Sequence, residues 1–540
     1  MSHLDTSLRR LIIIVILIII NILSLYFYIR IDLTKTKAYT LSRATVTTFN
    51  DLEDVVRIRL FISKNLPAQL NSIKNYTNDL LTEYATISRG MVQYEFINPE
   101  SEEKFKMEAD KVGIPSISVE VYDKDKMELR DIYLGMSIVY GSKNEIIPVI
   151  QDTEGLEFLL TNTIRNMSGK QTRLIAYFQP LSEEEQVYYA GKQLPMPANI
   201  AVLNKMVSSF SVFDRTDLVF PLPESTDLLI VNAVKDSLTD TQLFNIDQFI
   251  MSGKPVMIFQ DRYVADINMP NAILFDNNLI SLLRHYEIFI KPSLVLDASC
   301  FQLTRNVNQS GTIVPTSFDY PFFPFIKTFS DSLLIHKNIN YLYTYYSSEV
   351  VFSNRNNNLS VVPIISTSNN SFEMTGSPVG NGFELDTDFR KYLNMDFYQS
   401  FNHKSKHIAN LFLGYYYSYF NGKVVNYPNF KSYTDSGIVF VAGSTSLLTN
   451  ELLQNSQNNA AIILNIIDYL TGEPDFINMR NRNIAFSPIK EMSRTEKQFI
   501  KYINLYFPSI IVLIIGLVFY LIMQVHKQHI KDKVEKENKK

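Results

Sequence analysis

The chain has 540 residues, 46% hydrophobic and 20% charged, with a net charge of -4. That length exceeds a single core and implies a multidomain body, and the near-neutral balance excludes a nucleic-acid partner. Its one cysteine, Cys300, excludes an internal disulfide framework and a Cys-based zinc site.

From Leu11 to Ile29 the chain runs uncharged for about 19 residues, long enough for a hydrocarbon core of about 30 Å. The run ends in Tyr26, Phe27 and Tyr28, an interfacial belt rather than the small residues of a cleavage site, so an uncleaved signal anchor is expected. Leu505 to Met523 reads as a second span, with Pro508 in its first turn where a missing N–H costs least. Arg9 and Arg10 precede the first run, and His526, Lys527, Lys531 and Lys533 follow the second. Positive ends favour the cytoplasm, which places the body between them on the non-cytoplasmic side of a bacterial inner membrane, with the bilayer as a partner.

Between the spans, Val55 to Ile62 alternates as a strand, Leu66 to Ile87 carries helical spacing, and Val92, Tyr94 and Phe96 begin another strand. Strand, helix and strand make a βαβ unit with parallel pairing. Ile117–Val121, Asp131–Tyr140 and Asn144–Ile150 read as further strands, and a helical stripe from Leu156 to Met167 closes a first domain. A second α/β series begins at Arg173–Phe178 and continues through strand Asp227–Val234, helix Thr239–Met251 and strand Pro255–Gln260. Near-continuous apolar runs point to strands covered on both faces, and Gly253 before Pro255 supplies a left-handed helix stop. Helix Asn278–Tyr286, strand Ile288–Asp297, strand Gly437–Gly443 and helix Ala460–Leu470 are expected to return to this sheet, around a β-rich or loop-rich insertion.

The expected fold class is α/β: two transmembrane helices flanking an extracytoplasmic body with βαβ units and a doubly wound sheet. The expected divisions are 1–10 (cytoplasmic), 11–29 (transmembrane), 30–170 (first α/β domain), 171–300 (second α/β domain, first part), 301–433 (insertion), 434–504 (return to the second domain and membrane-proximal segment), 505–523 (transmembrane) and 524–540 (basic cytoplasmic tail).

Motifs recur in a fixed order. Arg30-Ile31-Asp32-Leu33-Thr34 and Tyr39-Thr40-Leu41-Ser42 follow the first apolar run, then Tyr94-Glu95-Phe96-Ile97-Asn98-Pro99, Gly113-Ile114-Pro115, Tyr133-Leu134-Gly135, Ile147-Pro148-Val149-Ile150 and Thr153-Glu154-Gly155-Leu156-Glu157. Leu294-Val295-Leu296-Asp297, Tyr320-Pro321-Phe322 and Asn465-Ile466-Ile467-Asp468-Tyr469-Leu470, with Arg480 and Arg482, complete the set. In these motifs the chain resembles the gliding-motility-associated ABC-transporter auxiliary family, the GldG-like proteins. The resemblance implies a non-catalytic, substrate-binding or coupling subunit acting with a separate ABC-type permease and cytoplasmic ATPase. No Gly-x-x-x-x-Gly-Lys-Ser/Thr loop occurs, so the chain is not itself that ATPase. Where relatives tend to carry Gly-His-Gly-Glu, this chain has Gln179-Pro180-Leu181-Ser182-Glu183, and a paired glycine is replaced by Ser252-Gly253.

The residues alone assign no catalytic group, cofactor or metal. Cys300 has no base beside it in sequence, and His285 belongs to an apolar stripe. Asp123 and Asp125 alternate with lysines as in a solvated hairpin, and Glu183, Glu184 and Glu185 lack companion ligands. Small hydroxyl residues follow a strand in Val441-Ala442-Gly443-Ser444-Thr445-Ser446, where Ser444 and Thr445 either meet a ligand or cap a turn. Arg480 and Arg482 either anchor the body or meet a lipid phosphate or partner carboxylate. The alternative to the transport subunit is an independent envelope receptor or scaffold that binds a glycan or protein.

Overall fold

The computed structural model describes residues 40–480, except 65, 124–125, 154, 170–172, 182–195, 207–210, 268–270, 310–311, 354–358, 376–381, 385–403 and 424–428, together with Val15 and parts of 501–528. It forms two compact units, Met1–Asn483 and Ile484–Lys540.

The first domain starts with α1 (Arg43–Asn50), whose N-cap Ser42 accepts the Thr45 N–H. Next come β1 (Val56–Ile62), α2 (Ala68–Ile87), β2 (Val92–Ile97), α3 (Glu103–Val112), β3 (Ile117–Asp123), β4 (Lys126–Ile132), β5 (Leu134–Tyr140), β6 (Lys143–Ile147) and α4 (Leu156–Met167). β1 and β2 are parallel, as the βαβ pattern requires, and β5 and β6 extend the sheet antiparallel in the order β2-β1-β5-β6. Val56, Ile58 and Leu60 point one way from β1, into a core with Leu81 and Tyr84 of α2 and Leu160 and Ile164 of α4.

α3 was not visible in the pattern because its sequence, Glu-Lys-Phe-Lys-Met-Glu-Ala-Asp-Lys-Val, is mostly charged. It is held by Phe105, Ala109 and Val112, at helical spacing, against Phe61, Ile97, Ile114 and Tyr133. The expected strand Asp131–Tyr140 is two strands, broken at the buried Tyr133.

The second domain contains β7 (Arg173–Phe178), α5 (Ile200–Met206), β8 (Ser211–Thr216), β9 (Thr226–Asn232), α6 (Asp240–Met251), β10 (Val256–Phe259), β11 (Tyr263–Val264), β12 (Asn271–Leu274), α7 (Asn278–His285), β13 (Ile288–Ile290) and β14 (Ser293–Asp297). The insertion supplies β15 (Cys300–Gln309), β16 (Thr312–Ile326), β17 (Leu342–Tyr343), β18 (Val350–Phe352), β19 (Leu359–Ser366), β20 (Ser371–Thr375), β21 (Gly382–Glu384) and β22 (His407–Tyr417). The chain then returns through β23 (Tyr433–Ala442), α8 (Asn450–Asn455), α9 (Gln457–Leu470) and α10 (Pro474–Arg480). The expected strand Ile288–Asp297 is split at Lys291-Pro292, since proline cannot donate to a ladder.

The main sheet has the order β19-β22-β23-β10-β9-β7-β8. β23, β10, β9, β7 and β8 are mutually parallel, with β22 and β19 added antiparallel. Taken in chain order, the parallel strands lie 2-1-3-4-5, a doubly wound arrangement whose order reverses between β7 and β9. Apolar side chains cover both faces: α9 with Ile462, Ile463 and Ile466 on one, α6 and α7 with Ile246, Ile250 and Leu282 on the other. Thr239 and Gln242 form a reciprocal capping box at the start of α6, and Gly253 ends its turn at φ +83°.

Among the described residues no helix is long and apolar enough to cross a membrane. The expected span 11–29 lies outside the described residues apart from the helical Val15. Within 505–523 the described residues are helical and exposed, and the remainder lie outside the described residues. The described helices therefore do not carry the two expected spans.

Candidate functional site

The carboxyl ends of parallel strands in a doubly wound sheet leave a crevice that the flanking loops can line. Here Ala233, Val234 and Lys235 follow β9, Gln260 and Asp261 follow β10, and Thr445, Ser446 and Thr449 follow β23. Pro197, Tyr263, Phe275, Tyr345 and Tyr346 complete a cleft of about 90 Å³. A buried water needs roughly 10–15 Å³ by this kind of measure, so the cleft suits a few waters or one small organic group.

Its polar floor is built backward from the strands. The Gln260 N–H donates to Ala442 O at 3.0 Å, which continues the β10–β23 ladder one residue past the strand. The Gln260 side-chain N–H₂ donates to Val234 O at 2.8 Å and Asp261 O at 3.0 Å, fixing the amide. Its Oε1 then remains as a buried acceptor without a protein partner. Asp261 accepts the Thr445 N–H at 2.8 Å and the Thr445 hydroxyl at 2.5 Å. Burial pushes the Asp261 carboxyl up to about 6, while the Thr445 donors and the Lys235 charge pull it down.

The structure places the sequence-derived candidates as follows. Thr445 lines the cleft, but its N–H and hydroxyl are both committed to Asp261. Ser444 is fully buried behind it, donating to Tyr345 O at 3.0 Å and lying 2.7 Å from the Ser446 hydroxyl. The Ser446 N–H turns to Ser444 Oγ, so this turn does not offer its first amides to a ligand. Arg480 ends α10, and Arg482 lies outside the described residues. Glu183, Glu184 and Glu185 also lie outside the described residues.

The Cys300 thiol is pushed up to about 12, first by burial and then by the carboxylates of Asp319 and Asp297, so it carries little thiolate near neutrality. His285 is spent on Tyr417 O at 2.9 Å. Among the described residues no group of three or more His, Cys, Asp or Glu side chains could hold a metal ion. Sequence reasoning missed Gln260 and Asp261. The available signal was a polar pair directly after the apolar run Val256–Phe259, at a predicted strand end.

The resemblance motifs do different work. The Ser42 N–H donates to Glu157 Oε1 at 2.7 Å across 115 positions, and the Thr45 hydroxyl donates to the same oxygen at 2.7 Å. Tyr84 and Thr161 close this knot through a 2.8 Å hydroxyl contact. A Cβ on Gly135 would meet Pro148 O at 2.4 Å, so two further motifs touch where only glycine fits. At the far end of the body, Arg173 pairs with Asp468 at 3.2 Å, Arg165 with Glu473 at 2.6 Å, and both cations lie over the Phe476 ring. Phe476 packs with Ala44 and Phe158, so α10 meets α1 and α4. The two ends of the described body thus adjoin each other.

The family described as an ABC-type uncharacterized transport system matches residues 189–466, and the chain belongs to that family. A domain of unknown function matches residues 35–139. An uncharacterized protein of Borreliella burgdorferi is 22% identical over 511 residues, covering 91% of this chain and 92% of that protein. Among solved structures, the N-terminal domain of mmIFT52 is similar at 13% identity and TM-score 0.31, covering 55% of this chain and 97% of that one. A ThuA-like protein from Parabacteroides merdae is similar at 10% identity and TM-score 0.26, covering 56% and 91%. At these scores the structural likenesses carry no functional argument. The family membership gives the chain an accessory role in a transport system, and such a system suggests permease and ATPase partners.

Proposed function

We propose that the chain is a non-catalytic subunit held at the inner membrane by both ends, with its body on the non-cytoplasmic side and its cleft holding a small ligand. A separate permease and a cytoplasmic ATPase supply movement and energy. The observation that carries the tethered arrangement is the contact of Ala44 with Phe476, which brings residues that lead toward the two apolar runs to one place on the body. Family membership supports the transport setting, and the absence of a phosphate loop supports a partner ATPase.

Coupling requires that the ligand or the permease favour one state of the body over another, since equal affinity for both shifts nothing. The Arg173–Asp468 and Arg165–Glu473 pairs join α4 and β7 to the segment that leads out of the body, and so provide a route for strain. A link to gliding rests on the motif resemblance alone, and surface movement of a deletion strain tests it. The transport reading is tested by purifying the tagged chain from native membranes. Recovery of one ATPase and one permease supports it; repeated recovery of the chain alone overturns it in favour of an independent receptor or scaffold.

A further inference from the structure

The carboxyl edge of a parallel sheet usually offers backbone N–H groups, and so favours an anion. In this cleft the polarity is reversed. The chain's own carboxylate, Asp261, occupies the Thr445 N–H and hydroxyl, and Ser444 Oγ occupies the Ser446 N–H. The polar group left unmet is an acceptor, Gln260 Oε1, on a side chain that is 0% exposed and lines the cleft. Its amide orientation is fixed by two carbonyls that only an N–H₂ can satisfy, Val234 O and Asp261 O. A buried acceptor without a donor is costly, which makes it a strong determinant of what the cleft will take.

Charge and shape narrow the class. Among the described residues, Asp261 and Asp266 line the cleft with one cation, Lys235, and Tyr263, Tyr345, Tyr346 and Phe275 supply aromatic surface. Carboxylate, carbonyl acceptor and aromatic wall together suit an ammonium group, by hydrogen bonds and by attraction to ring faces. We infer that the cleft binds a small primary amine, its ammonium donating to Gln260 Oε1 and Asp261. This rests on the cleft being the ligand site of the proposed transport subunit.

The test uses the full-length wild-type chain in detergent at pH 7.5, titrated with propylammonium, propionamide, propionate and inorganic phosphate. Binding is read by saturation-transfer NMR and by the shift in melting temperature. The expected result is binding of propylammonium with propionamide weaker by about tenfold or more and no binding of either anion, because a charged donor makes the stronger hydrogen bond to a buried acceptor. Gln260→Met, near in size but without the acceptor, is expected to weaken propylammonium by about tenfold or more, as is Asp261→Asn, which keeps one acceptor for Thr445. Equal binding of amine and amide, binding of an anion instead, absence of amine binding, or amine affinity unchanged in folded forms of both variants overturns the inference. Partner recovery is scored separately on wild-type chain from amine-free membranes. Partners recovered without amine binding overturn this inference alone, and amine binding without partners overturns the transport reading alone.

Discussion

Two buried polar clusters in the same body behave in opposite ways. Around Glu157 in the first domain, Ser42, Thr45, Tyr84 and Thr161 meet one another's hydrogen-bonding needs across more than a hundred residues. Around Gln260 in the second domain the donors are likewise spent within the chain, yet one acceptor is left over. A closed cluster fixes geometry, whereas an open one leaves something for a ligand to complete. The comparison teaches that the motifs most visible in the sequence build the frame, and that the residues able to do chemistry sit where the pattern is least distinctive.

The largest expected effect lies in the frame. Arg173→Ala leaves Asp468 buried without its cation and is expected to cost about 3–5 kcal/mol, measured as a fall in the thermal midpoint of the full-length chain. A loss under about 1 kcal/mol would mean that the pair does not hold β7 to α9.

Next comes Glu157→Ala, which strips the acceptor from the Ser42 N–H and the Thr45 hydroxyl and is expected to cost about 3 kcal/mol. Denaturant unfolding of the full-length chain checks it, and a neutral outcome would remove the contrast between the closed cluster and the open one.

Asp261 sharpens the contrast through pH. Its carboxyl ionises at about 6 in the folded chain, against about 3.9 for an unperturbed aspartate. In the window from about 4 to 6 the unfolded chain gives up this proton first. The contribution of Asp261 is therefore most favourable below about 4 and is lost as pH rises through 6, by about 3 kcal/mol. Stability measured from pH 4 to 7 should fall more steeply in the wild type than in Asp261→Asn. Parallel profiles would show that the carboxyl is not held protonated by its surroundings. Smallest is Thr239→Ala, which opens the capping box of α6 and should cost about 1 kcal/mol in the same melting assay, without altering the pH profile.

Much of the fold was legible because its elements carry their own periodicity. β7 coincides with the apolar run Arg173–Phe178, and α6 runs from Asp240 to Met251 where a helix was expected from Thr239 to Met251. β23 returns to the main sheet, as the late strand was expected to do, and the structure sets it parallel beside β10. The failures have physical causes as well. α3 packs three apolar residues of a charged segment, of which only Ala109 is buried, and β8 is an edge strand whose Ser211 and Phe213 alternate inward among polar neighbours. The insertion was legible only as β-rich or loop-rich, because its pairings, such as β14 with β20, join residues about eighty positions apart. The site was less legible than the fold. Thr445 was singled out for backbone amides that the structure assigns to Asp261, and Gln260 became visible only once three strand ends were brought together.

The account stands most directly on where the body lies. In a Cys300→Ser background, a cysteine placed at the exposed Phe220 should react with a membrane-impermeant maleimide in whole cells whose outer layer has been opened. The account predicts labelling before lysis and no further gain after it; labelling that appears only once the inner membrane is broken would contradict it.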